Sequence, residues 1–249
     1  MSATRRMLYG VGAMVALAAM VIAGAYLMPS SVRANPAAAV STLDDADLKL
    51  MLPSDSALPA GMDINRMSLA EAMSGTCASK SELTSDVPIE ACSAGFMKGA
   101  DMVFTPAACG QDTIAAGFGE PTKGQVQVGS LTSANGERRD QFTLAATVPG
   151  GTRFDLIREG VAACKAGKVS LRDQGLSGTV SLSEFSVPAM RDAETFGLLI
   201  TMSMAGTTTT EAMVFVRIGG LLLAACDPVY STSVEMATAM HRRALSILS

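Results

Sequence analysis

From Gly124 onward, this 249-residue chain contains segments in which polar and apolar residues alternate with a period of two, which is typical of half-buried β-strands. Residues 125–128 and 141–145 alternate in this way on either side of Asn135-Gly136, a pair that favours a hairpin turn. Further strand-like runs are 169–171, 179–187, 196–204, 212–218 and 221–225, with a tight turn at Gly219-Gly220. Neighbouring strands joined by short turns predict an antiparallel sheet.

Two helices are predicted among these strands. Thr152 is placed to cap the first, on which Phe154, Ile157, Val161 and Cys164 recur at helical spacing and form one buried stripe. The second closes the chain over residues 233–248. This order predicts an α+β fold, a curved antiparallel sheet with helices packed on one face.

Shorter segments give weaker signals. The acidic cluster of Asp44, Asp45 and Asp47 is typical of the first turn of a helix. Residues 48–62 contain two prolines and a glycine and are predicted to be an extended loop, and the four threonines at 207–210 are predicted to form another loop.

The N-terminus carries an export signal. No charged side chain occurs between Met7 and Met28, and about 22 residues of helix span about 33 Å, enough to cross the hydrocarbon core of a bilayer. Arg5 and Arg6 precede this run and no acid occurs before Asp44, so the N-terminus is expected in the cytoplasm and the rest outside.

Whether this segment is removed stays open. Val32 and Ala34 are small residues at the two positions that a signal peptidase recognises before its cleavage site. Cleavage after Ala34 would give a secreted protein. The apolar run is longer than the usual signal core, which favours an uncleaved single-pass anchor. The predicted organisation is an anchor or signal segment over residues 1–34, a tether over 35–42 and one extracytoplasmic domain over 43–249.

Composition limits the partners of that domain. Once Arg5, Arg6 and Arg33 are set aside, it carries 16 basic and 23 acidic side chains, a net charge of −7, so nucleic acid is not expected to bind. The chain has no Trp and 17 Met. So much Met indicates either soft core filling or an adaptable apolar binding surface.

All five cysteines lie on the predicted outer side of the membrane, where they should pair and leave one over. Cys77 and Cys92 flank a segment rich in Ser and Thr, and a bridge between them would tie it down. A metal site is not expected, because no CxxC pair exists and the sole histidine, His241, is distant in sequence. No cofactor is predicted.

Three stretches carry a resemblance to a known family: Thr105-Pro106-Ala107-Ala108-Cys109-Gly110, the helical segment ending Ala163-Cys164-Lys165-Ala166-Gly167-Lys168-Val169, and the apolar strand 221–226 before a closing helix. Together they resemble the extracytoplasmic sensor domains of actinobacteria, found on PknH-like receptor kinases and in mycobacterial lipoproteins and envelope proteins. The resemblance covers roughly residues 43–249.

The resemblance implies a disulfide between Cys109 and Cys164. A second family bridge joins the cysteine of the last strand to one near the start of its hairpin partner, but residues 209–212 contain no cysteine, which leaves Cys226 unpaired. The competing pairing joins Cys164 to Cys226 and leaves Cys109 free.

Catalytic patterns are weak throughout. No GxSxG elbow occurs, and His241 is predicted to lie at a solvated helix end beside Arg242 and Arg243. A carboxylate-dependent hydrolase would have to use Asp192 with Glu194, or Glu184.

The sequence therefore predicts a non-enzymatic domain of the cell envelope, attached to the membrane by its N-terminal helix. We expect it to bind or sense an apolar or envelope ligand, or a protein partner. The first alternative is a structural or assembly protein without a small ligand, and the second is the carboxylate-dependent hydrolase. No catalytic residue is assigned.

Overall fold

The computed structural model describes residues 40–74, 102–106, 109, 117–134, 138–171 and 176–249. Two short 3-10 turns occur in these ranges, Val40–Thr42 and Asp55–Ala57. The helices of the described ranges are α1 (Asp45–Met51), α2 (Leu69–Ser74), α3 (Phe154–Ala163) and α4 (Tyr230–Leu248). The predicted anchor, most of the tether, and both Cys77 and Cys92 lie outside the described residues.

Within the described ranges, nine strands form one sheet in the order β1-β3-β4-β9-β8-β7-β6-β5-β2, and every neighbouring pair is antiparallel. Their bounds are β1 Asp63–Ser68, β2 Met102–Thr105, β3 Lys123–Thr132, β4 Arg138–Thr147, β5 Gly167–Leu171, β6 Leu176–Phe185, β7 Glu194–Met204, β8 Thr207–Ile218 and β9 Leu221–Asp227. The predicted α+β class with a mostly antiparallel sheet is confirmed.

The finer prediction of a curved sheet with helices on one face is wrong, because the sheet is open and helices cover both of its faces. The reason lies in β9, where all seven residues are buried. Its apolar side chains point alternately to the two faces, so both faces need a cover.

Each face has its own core. On the face covered by α3, here called the α3 face, helix residues pack against alternate residues of the strands: Phe154, Ile157 and Val161 against a layer that includes Phe142, Leu144, Phe196, Leu198 and Phe215. On the opposite α4 face, α1 and α4 contribute Leu48, Met51, Met236 and Met240, which share a cluster with Ala145, Val214, Val216 and Leu223. The predicted stripe on α3 is therefore a packing surface, as its spacing indicates.

Two predictions near helix termini are wrong. The predicted loop over residues 48–62 begins later, because helix α1 continues to Met51. Asp44 and Asp47 form a capping box at its start, and Leu48 and Met51 are buried on one side of the helix. Thr152 does not cap α3; its hydroxyl donates a hydrogen bond to the carbonyl of Phe118.

The tract 207–210 is the start of β8, not a loop. It pairs with residues 201–204 of β7, because threonine is well suited to a half-exposed strand.

Among the described helices, none is long and apolar enough to cross a membrane. The 3-10 turn at Val40–Thr42 belongs to the packed structure, since Val40 is buried in the α4-face core.

Candidate functional site

A group of polar side chains lies on the α3 face where β9 ends. Phe142 of β4 and Met213 of β8 both pair with Cys226, which is one residue before the end of β9. Asp140 lies two residues before Phe142 on β4, and Glu211 lies two residues before Met213 on β8. Both acids therefore share the sheet face of Cys226, and they flank the end of β9. Ser130 of β3 pairs with Asp140 and completes the group. We call these four residues the Glu211 site.

Glu211 is 6% exposed, and its two carboxyl oxygens differ. Oε2 accepts a hydrogen bond from the Cys226 thiol, with a sulfur to oxygen distance of 3.0 Å. Oε1 is buried and has no hydrogen-bond partner in the part of the chain that the structure describes. Among the described residues, no Lys or Arg forms an ion pair with Glu211.

Burial raises the pKa of Glu211 from its ordinary value of 4.5 to about 7. The hydrogen bond from Cys226 acts in the opposite direction, and the negative charges of Asp227 and Asp140 add to the increase. A carboxyl group with this pKa exchanges a proton near neutral pH.

Burial and the neighbouring Glu211 also raise the pKa of the Cys226 thiol, well above its ordinary value. The sulfur is therefore protonated and acts as a hydrogen-bond donor. A buried thiol in this state is a poor nucleophile and a poor metal ligand, because both roles need the thiolate.

The surroundings of Glu211 are apolar apart from the other members of the site. Asp140 is also buried, and its Oδ1 accepts a short hydrogen bond from the hydroxyl of Ser130. Ile200 of β7 pairs with Glu211 across the sheet. The same core cluster contains Phe142, Ile200, Met202 and Met213.

A second polar group lies behind the site, on the α4 face. Asp227 is completely buried, and Arg139 donates to both of its oxygens at 2.8 and 3.0 Å. Gln141 Nε2 and the backbone N–H of Val229 donate to the same carboxylate. These contacts join β4, β9 and the start of α4, and they fix the strand end that the Glu211 site surrounds.

The structure joins Cys109 to Cys164, with their sulfur atoms 2.08 Å apart. This is the pairing that the family resemblance implies. Cys226 remains a buried free thiol, so the competing Cys164 to Cys226 pair is not formed in the structure.

The prediction that His241 lies at a solvated helix end is wrong. It lies on α4 as expected, but it is buried, and its Nε2 is 2.8 Å from the carbonyl oxygen of Arg191. The end of α4 packs over the sheet there, so the ring faces the protein and not water.

The carboxylates considered for hydrolysis are each engaged by an arginine. Glu184 contacts Arg158 at 3.1 Å, Asp192 contacts its neighbour Arg191 at 3.0 Å, and Glu194 forms a close ion pair with Arg217. Within the described ranges, no group of three or more His, Cys, Asp or Glu side chains is placed to hold a metal ion.

Sequence reasoning missed Glu211 and Asp140, although a signal was present. Glu211 is in phase with the apolar residues Met213 and Phe215, and Asp140 is in phase with Phe142 and Leu144. A period of two therefore places both acids on a buried face. An acid in phase with core residues is the pattern that identifies this site.

The outer strands present a different surface on the opposite side of the sheet from α3. Hydroxyl side chains of β6 and β7 alternate there with buried apolar residues, and two threonines at the start of β8 extend the same surface; they are Thr179, Ser181, Ser183, Thr201, Ser203, Thr208 and Thr210. Strand pairing aligns them in rows, with hydroxyl contacts between Thr201 and Thr210 and between Ser203 and Thr208. We call this surface the hydroxyl face.

No family model matches the chain, and no curated protein matches it. Among solved structures, it is similar to the X-ray structure of an uncharacterised protein from Mycobacterium smegmatis, an Rv0999 ortholog. That alignment has 14% sequence identity and a TM-score of 0.44, and it covers 82% of this chain and 98% of the other. A likeness this weak carries no argument about function.

Proposed function

We propose that this chain is an exported, membrane-anchored domain of the cell envelope that binds an apolar ligand at the Glu211 site and is not an enzyme. The observation that carries the proposal is the buried Oε1 of Glu211, which has no hydrogen-bond partner among the described residues and lies in a mostly apolar core with few other polar side chains. Sites for small apolar ligands have this composition, with hydrophobic walls and a few polar groups that orient the ligand.

An unsatisfied buried oxygen is costly, so its retention needs a reason. A ligand whose head group carries a hydroxyl or amide would remove that cost, because such a group donates to Oε1 when Glu211 is ionised and accepts from the Oε1 proton when Glu211 is neutral. The methionines beside the site, Met202 and Met213, have flexible side chains that adapt to an apolar tail. The proposed ligand is therefore a lipid-like molecule with a hydrogen-bond donor at its head.

The hydrolase alternative receives less support. Asp192, Glu194 and Glu184 each form an ion pair with an arginine. A substrate would have to displace that arginine before the carboxylate could take part in a reaction.

A structural or assembly role is the second candidate, and the hydroxyl face favours it. This surface is part of a regular sheet and consists of small polar side chains, so it offers a flat area for a protein partner. In that case the Glu211 site would have no ligand and would serve only the fold.

Native mass spectrometry of the full chain, purified in mild detergent from its own cells, tests the proposal. We expect a co-purified apolar molecule on the wild-type protein and on the surface control Glu184→Gln. The variant Glu211→Gln replaces the acceptor oxygen Oε1 or Oε2 by an amide nitrogen and should lose most of it. Equal ligand on both variants, or none on the wild type, would contradict ligand binding at this site.

A further inference from the structure

We propose that Glu211 is a proton-binding switch, in which the neutral carboxyl group closes the end of the β8–β9 pair and its ionisation loosens that end. This inference concerns regulation of the Glu211 site, and its consequence for a ligand rests on the proposed function. The switch itself is a property of the ligand-free fold.

The charges that face Glu211 explain why ionisation is unfavourable there. On the β9 side, Glu211 contacts the neutral thiol of Cys226, and the acid Asp227 is the next residue of that strand. On the β4 side, the neighbouring acid is Asp140. On the β7 side, the paired residue is the uncharged Ile200. Every charged group in this set is an acid. An ionised Glu211 therefore gains one thiol hydrogen bond and no ion pair from the described residues.

The sign of the pH effect follows from the pKa. The pKa of Glu211 is raised to about 7 in the fold, against 4.5 ordinarily, so between these values the folded state holds a proton that the unfolded state has lost. This contribution to stability is complete below pH 4.5 and decreases as the pH rises toward 7. Above about pH 7 both states are ionised, and the fold contains a buried charge.

The loosening is expected where Glu211 is attached. Ala212 and Asp227 form the last register pair between β8 and β9, and the hydroxyl of Ser233 holds the Ala212 carbonyl at 2.8 Å. The hydrogen bond from Cys226 to Glu211 lies directly beside this pair. A charge at Glu211 should therefore open this strand end before the rest of the sheet, because local openings need less free energy than global unfolding.

Amide hydrogen exchange on the ligand-free full chain in detergent tests the switch, after correction for the intrinsic pH dependence of exchange. Between pH 5.5 and 8.5 we expect protection of peptides covering 207–218 and 221–227 to decrease by about tenfold, within a limit of roughly 30-fold, because only the part of the pKa shift that lies above pH 5.5 contributes in this range. Peptides from the β3–β4 pair should change less.

Two variants and a control make the result specific. Glu211→Gln should abolish the pH dependence of protection in these peptides, whereas the exposed control Glu184→Gln should retain it. Cys226→Ala removes the hydrogen bond that lowers the pKa of Glu211, so the midpoint of the transition should move to higher pH.

An unchanged pH profile in Glu211→Gln would overturn the switch, as would equal loss of protection in all strands of the wild type. Ligand binding is measured separately, by titrating the apolar molecule that co-purifies with the wild-type protein into the ligand-free chain at pH 5.5 and 8.5. A switch without a ligand would refute the proposed function alone, and a ligand bound equally at both pH values without a change in protection would refute the switch alone.

Discussion

Arg139 holds the carboxylate of Asp227 with two hydrogen bonds, one to each oxygen, although Asp227 itself has no exposed surface. The pair joins β4 to the last residue of β9. Without Arg139 the Asp227 carboxylate would stay desolvated and keep only the hydrogen bonds from Gln141 and the N–H of Val229, so this contact should matter more than its surface counterparts.

We expect Arg139→Gln to lower the free energy of unfolding by about 2 to 3 kcal/mol, less than for a fully buried pair, because Arg139 is partly exposed and Asp227 keeps two other hydrogen-bond donors. Urea unfolding at neutral pH would measure the change. The matched control is Arg158→Gln, which removes the exposed pair with Glu184 and should cost about 1 kcal/mol or less. Equal effects of the two substitutions would mean that Asp227 finds another partner.

The pKa of Glu211 predicts the stability of the whole domain as well as the opening of one strand end. Raising the pH from 4.5 to 8 should remove up to about 3 kcal/mol of stability in the wild type, because the folded state loses the proton it held. Glu211→Gln should remove this part of the pH dependence, and at pH 8 it should be more stable than the wild type. Urea unfolding at several pH values would show it, and a wild-type slope of the opposite sign would contradict the assignment.

We expect unreduced peptide mapping to recover the peptide that links Cys109 and Cys164. The same digest tests the predicted bridge between Cys77 and Cys92, which lies outside the described residues. Cys226 should react with a thiol reagent only after unfolding, because its side chain is buried. A peptide linking Cys164 to Cys226 would contradict this arrangement.

Gly167 should not tolerate a side chain. A Cβ at this position would lie 2.5 Å from the sulfur of Cys109 and 3.1 Å from the carbonyl oxygen of Thr105. We expect Gly167→Ala to lower the free energy of unfolding by about 1 to 3 kcal/mol through overpacking. Gly150→Ala is the control, since nothing lies within 4 Å of a Cβ there. Similar stabilities of the two variants would show that the sulfur can move aside.

The predicted topology is tested in intact cells. Protease added to spheroplasts should remove the domain while cytoplasmic marker proteins survive, because Arg5 and Arg6 predict an N-terminus on the inside. A domain that survives together with those markers would contradict export. The mass of the mature protein would then decide between an intact anchor and cleavage after Ala34.

The strand pattern could be predicted because it depends on local sequence. The β3–β4 hairpin follows from alternation on both sides of Asn135-Gly136, and α3 follows from the spacing of Phe154, Ile157 and Val161. The strand β1 was missed: Asp63–Ser68 is a polar edge strand whose exposed and half-buried residues give a weak signal.

The placement of helices could not be predicted in the same way. A helical stripe shows that one side is buried, but it does not say which face of the sheet buries it. The apolar sequence of β9 was the clue, because Leu221–Asp227 is apolar on both faces and needs cover on both. The Glu211 site also depends on the register between β4, β9 and β8, because residues as distant in sequence as Asp140 and Cys226 come together only after folding.

The position of β9 has a consequence for how this chain can fold during synthesis. It is the last strand in sequence, yet it lies between β4 and β8, and its pairing with β4 joins Phe142 to Cys226. Contacts of such high sequence separation form late, because a long loop must close first. Until the C-terminal part of the chain has emerged, β4 and β8 have no shared neighbour and both cores stay incomplete. The sheet order therefore delays completion of the fold until nearly the whole chain is available.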